Sequence, residues 1–110
     1  MLMNLNAIHQ RIQNGHYLIR SHVLQHALKE GFTRRDLLEA ILNGQIIEEY
    51  PDAKRVLVCG YTKLGNRDRI YLHIVCEVAD PVFVEFVTAY YPDESLWERP
   101  DFKRRQRKRR

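Results

Sequence analysis

Apolar positions recur at helical spacing as far as Asn43 and at strand spacing beyond it. Leu5, Ile8 and Ile12 form one apolar stripe, stopped at Asn14-Gly15. Residues 17–20 read as a short extended connector. Ser21 is an N-cap for a second helix over 22–30, which Gly31 stops. Thr33 caps a third helix over 34–43, with Asp36 at the capping-box position as a shorter stand-in for Glu, and Gly44 provides a left-handed stop. Each stop is then a glycine placed where the backbone leaves a helix at positive φ.

Runs rich in β-branched and aromatic residues follow, and they predict strands. They cover 45–50, ended by Pro51-Asp52; 55–61; 70–78, with a turn at Asp80-Pro81; and 82–91, ended by Pro92. Residues 62–69, with Gly65-Asn66, read as a polar loop. Short connections imply an antiparallel meander. Trp97 lies in a terminal segment expected to fold back on the body. Helices followed by a sheet predict an α+β domain over 1–102, with the N-terminal helices on one face of a four-stranded, mainly antiparallel sheet.

Period-2 alternation assigns the faces. On the third predicted strand Ile70, Leu72, Ile74, Cys76 and Val78 share the helix-covered face, and Tyr71, His73, Val75 and Glu77 share the other. On the fourth, Glu85 should point away from the core with Phe83, Val87, Ala89 and Tyr91, leaving Val84, Phe86, Thr88 and Tyr90 inward. A one-residue bulge would reverse part of that assignment.

The chain has 110 residues, 45% apolar and 29% charged, an ordinary globular mixture of one domain's size. No apolar run approaches the roughly 18 residues that span a bilayer. The start lacks a basic n-region and a small-residue cleavage site, so the chain reads as cytoplasmic, with no membrane partner. Its formal net charge is +4, yet residues 1–102 hold 11 basic and 14 acidic side chains. The excess belongs to a basic tail over 103–110, read as disordered: Lys103, Arg104, Arg105, Arg107, Lys108, Arg109 and Arg110. Cys59 and Cys76 sit inside apolar runs with no CxxC, so they read as reduced, buried hydrophobes rather than a disulfide or zinc site.

Several motifs fall in a familiar order: His26-Ala27, Asn43-Gly44, Ile47-Glu48-Glu49-Tyr50-Pro51, Val58-Cys59-Gly60, Leu72-His73-Ile74-Val75, Thr88-Ala89-Tyr90-Tyr91-Pro92-Asp93 and Trp97. Together they resemble the bacterial domain-of-unknown-function family 4258 over roughly residues 17–105. The helices-then-sheet layout of that family looks like the RelE-type toxin fold and the wider barnase, EndoU and colicin ribonuclease group. The resemblance implies a metal-independent endoribonuclease of toxin type, with no cofactor, acting on RNA and kept by a small antitoxin-like protein.

In that reading His73, mid-strand among polar and aromatic neighbours, and His26, on the flank of the second helix's Val23, Leu24, Ala27 and Leu28 stripe, form the acid–base pair. Arg55 holds the scissile phosphate, and Tyr91 stacks or donates. Arg67, Arg69, Tyr71 and Glu48 are further candidates, and Tyr90 reads as core. The plainer alternatives are a buried, bonded His73, a solvated His26 and solvated strand-end arginines. His22 and His26 are one helical turn apart, but no third ligand is near in sequence, so no metal is expected. The alternative function is a non-catalytic nucleic-acid- or protein-binding module whose aromatics anchor a partner. Nothing fixes the oligomeric state, although an edge strand at 45–50 could pair with a second copy.

Overall fold

The computed structural model describes residues 3–63 and 68–107. The Gly65-Asn66 loop, Arg67, Lys108, Arg109 and Arg110 lie outside the described residues. Three helices, α1 (Leu5–Gln13), α2 (Ser21–Lys29) and α3 (Arg34–Asn43), pack on one face of a sheet. The strands are β1 (Tyr17–Ile19), β2 (Gln45–Tyr50), β3 (Arg55–Thr62), β4 (Ile70–Glu77) and β5 (Val84–Tyr90). They lie in the order β1-β5-β4-β3-β2. Strands β2 to β5 form the expected antiparallel meander. The sheet has a fifth strand, because the supposed connector pairs parallel to β5, Leu18 standing opposite Glu85. Three residues are too few to show a period in the sequence; the neighbouring edge of β5 is what makes them a strand.

The helix signals act mostly as read. Asn4 caps α1, its side chain accepting from the Ala7 amide at 2.8 Å. Thr33 and Asp36 form the reciprocal capping box of α3. Gly15 and Gly31 leave their helices at φ +77° and +93°. Two readings change. Ser21 is the first residue of α2, and Arg20 stands at its N-cap with no side-chain cap bond. Gly44 has φ −83° and so is no left-handed stop. It is small because a Cβ there would lie 2.6 Å from the Ala40 carbonyl oxygen. At Gly60 on β3 the same added atom would lie 1.7 Å from that oxygen. The two glycines let α3 lie directly on β3, and the Asn43 amide locks the contact by bonding the Tyr61 N–H at 2.9 Å and its carbonyl at 2.7 Å.

The core between the layers is built from Ile8, Ile12, Val23, Ala27, Phe32, Leu37 and Ile41 on the helix side and Val56, Val58, Leu72, Ile74 and Phe86 from the sheet. The predicted parity of β4 holds: Leu72, Ile74 and Cys76 face the helices. On β5 it does not hold throughout. Val75 pairs with Thr88 but the next residue, Cys76, pairs with Phe86, so Val87 is extra. This bulge turns Ala89 into the core and Tyr90 out onto the second face, the reverse of simple alternation. On α2 the buried row is only Val23 and Ala27; Leu28 is 62% exposed.

The second face is covered as well. Residues 92–107 return across it as an irregular hairpin, with Trp97 bridging Arg105. The Glu98 N–H donates to the Arg104 carbonyl at 2.7 Å, and the Gln106 N–H to the Leu96 carbonyl at 2.8 Å. Trp97 folds back as expected and is 3% exposed. The tail reading is corrected for residues 103–107, which belong to this hairpin. Among the described residues no helix is long and apolar enough to cross a membrane.

Candidate functional site

Strand parity points His73 away from the helices, and the hairpin then closes over it, leaving the residue 0% exposed. The Trp97 ring meets the imidazole edge-on at 4.5 Å, and Tyr90, its partner on β5, at 5.4 Å. Nε2 lies 2.8 Å from the Phe102 carbonyl oxygen, which can only accept, so Nε2 carries the proton. Nδ1 is then the acceptor for the Tyr90 hydroxyl at 3.4 Å. Burial pushes the ring's pKa down; the Phe102 carbonyl and the Glu48 charge oppose this only in part. His73 is thus a neutral imidazole with both nitrogens engaged.

Glu48 on β2 shares this face. Arg105 grips it with two bonds, Nε to Oε2 at 2.6 Å and an Nη to Oε1 at 2.9 Å. The same guanidinium lies 4.6 Å from the Trp97 ring centroid. The Tyr50 hydroxyl donates to Glu48 at 2.6 Å, and burial with that bond pushes the Tyr50 pKa up to about 12. The Arg105 bonds hold the Glu48 carboxyl below its ordinary range. The cluster Glu48–Arg105–Trp97–His73–Phe102 therefore clamps the hairpin to the sheet. The Cys59 thiol adds a bond to the Asp101 carbonyl at 3.3 Å.

The other expected catalytic residues lie elsewhere. His26 is exposed on α2 and lines a groove of about 200 Å³ with His22, Val23, Thr88, Ala89 and Tyr90. That groove lies along β5 and is lined by none of His73, Arg55 and Tyr91. His22 is likewise exposed, and its Nε2 lies 3.3 Å from the Val87 carbonyl. Arg55 pairs with Glu77 at 3.1 Å, while Arg20 reaches Glu85 at 2.9 Å and Glu77 at 4.0 Å. Glu77 and Glu85 stand directly opposite each other, so the two arginines relieve a like-charge pair. Tyr91 donates its hydroxyl to the Glu30 carbonyl at 3.0 Å. Among the described residues no group of three or more His, Cys, Asp or Glu could hold a metal ion.

What the structure does bring together is aromatic and cationic. Arg69, Tyr71, Tyr91, Arg99 and Phe102 line a groove of about 370 Å³ between β4 and the hairpin. The Arg69 guanidinium lies 4.3 Å from the Tyr61 ring, Tyr61 stands 6.0 Å from Tyr71, and Tyr71 stands 6.1 Å from Phe102. On the far side of Arg99 and Pro100 a second groove, about 450 Å³, is lined by Gln45, Lys103 and Arg104, with Glu98 and Asp101. Residues 1–91 hold ten cations and ten anions, so the formal +4 resides wholly in 92–110. Arg99 and Phe102 gave no signal in the sequence. Arg105 could not be told from its basic neighbours, because only the fold sets it against Glu48.

A family model described as "Domain of unknown function (DUF4258)" matches residues 19–91, about two thirds of the chain, and the chain belongs to that family. The match ends at Tyr91, so the covering hairpin lies beyond it. No curated protein and no solved structure matches the chain significantly.

Proposed function

We propose that this DUF4258 member is a non-catalytic nucleic-acid-binding module. One observation carries the reading: His73 is enclosed with both nitrogens bonded, while the chain's whole net charge resides in the sequence 92–110, which begins with the hairpin that encloses it. Cutting RNA through its own 2′-hydroxyl needs a proton acceptor and a donor within hydrogen-bond reach of one substrate. His73 is enclosed, and the groove that His26 lines does not include it. Lys103, Arg104 and Arg107, by contrast, are anchored through Arg105 to the body, which lowers the ordering cost of engaging phosphates. Each contact releases condensed counterions, so affinity should fall steeply with salt.

The test is fluorescence anisotropy on a labelled single-stranded RNA of about 20 nucleotides, in EDTA, between about 50 and 300 mM NaCl. The expected log–log slope is about −2 or steeper, at roughly 0.7 per phosphate contact. The charge-reversed variant Lys103→Glu/Arg104→Glu/Arg107→Glu should bind at least about tenfold more weakly at low salt. The RNA should stay intact. Absence of binding at low salt would overturn the reading. Cleavage abolished by His73→Gln would replace it with the ribonuclease.

A further inference from the structure

We infer that the groove between β4 and the hairpin is a base-stacking site that makes this protein select single strands. The inference rests on the nucleic-acid-binding reading and adds the form of the ligand. Tyr71, Tyr91 and Phe102 line the groove together with Arg69, Arg99 and one carboxylate, Glu94. Its volume, about 370 Å³, suits a flat heteroaromatic ring. Phe102 is set in place by its own backbone, at φ +59°, and by its carbonyl bond from His73. The buried histidine thus positions one wall of the groove, which gives it a role without proton transfer.

The neighbouring groove supplies the phosphate side. Arg99 and Pro100 line both, forming a ridge between the aromatic groove and the one holding Lys103 and Arg104. A strand lying across that ridge would put a base against Tyr71 and Phe102 and its flanking phosphates near Arg99, Lys103 and Arg104. Arg99 is paired only with exposed Glu94, at 3.2 Å, and exposed pairs of this kind are cheaply released. Glu98 and Asp101 repel phosphates on the far side and so restrict where the backbone can lie. A duplex keeps its bases stacked inside and cannot enter the groove; a single strand can, and base–aromatic stacking is indifferent to sequence.

The full chain is titrated with three probes of about 12 nucleotides: a mixed single strand, the same strand annealed to its complement, and an abasic strand of equal length. The single strand should bind at least about tenfold more tightly than either of the others. A central 2-aminopurine should lose fluorescence on binding as it stacks. Tyr71→Leu, which keeps apolar bulk and removes the π face, should erase the single-strand preference while leaving the salt slope and the melting temperature near wild type. Equal affinity for all three probes with unchanged 2-aminopurine emission would overturn the stacking site and leave the phosphate-binding reading standing. Binding to none of them would overturn both.

Discussion

Lowering the pH tests whether His73 is sealed. Its ordinary pKa of about 6.5 applies to the unfolded chain, and burial holds the folded value below that. As pH falls through 6.5 the unfolded chain takes up the proton first, so stability is complete above about pH 7.5 and declines below 6.5. The decline ends only when pH reaches the folded-state value. While the folded ring stays neutral, stability falls by at most about 1.4 kcal/mol per pH unit below 6.5. Protonation must also turn the Tyr90 hydroxyl, which donates to Nδ1 in the neutral state. Glu48 favours the cation and Arg105 opposes it, and neither outweighs burial. The perturbation is His73→Gln, which leaves an N–H for the Phe102 carbonyl but does not titrate. Urea unfolding of both proteins between about pH 7.5 and 5.0 should show the wild type losing ground to the variant as pH falls. Parallel stabilities across that range would mean that the ring protonates as readily in the folded chain as in the unfolded one, and the enclosed site would be wrong.

Three other outcomes follow from the packing. Gly60→Ala sets a Cβ against the α3 backbone, where no side chain can yield, and should cost about 3 kcal/mol or more by thermal melting; a near-neutral change would contradict the close α3–β3 approach. The two thiols should resist an aromatic disulfide reagent near pH 8 in the native protein and both react in denaturant, since burial raises the Cys76 pKa and lifts that of Cys59 to about 11. Arg105→Ala should cost about 1 kcal/mol, less at high salt because the pair is partly exposed, and it should increase protease cutting within residues 92–107.

Much of the fold was legible in order and period. Capping at Thr33 and Asp36, the stops at Gly15 and Gly31, and the alternation of β4 are local matters, decided by a few adjacent residues, and they appear in the structure as read. The family was legible too, through motifs spread along the chain. Features that depend on a distant partner were not. The three residues of β1 become a strand only because β5 offers an edge. Gly44 reads as a stop until the Ala40 carbonyl is seen beside it. Tyr90 changes face because β5 carries one residue more than β4 along their pairing.

The candidate site divides the same way. The sequence by itself turned the His73 side chain away from the helices, since alternation along a strand is a property of the backbone. It also concentrated the cations after Phe102. Only the tertiary structure decided that the imidazole is covered, that Arg105 is a clamp rather than one more solvated cation, and that Tyr71, Tyr91 and Phe102 share a groove with Arg69 and Arg99. The physical reason is that exposure and pairing are set by which segments pack over a face, and the segment that closes this one, residues 92–107, has no periodicity to announce where it will lie.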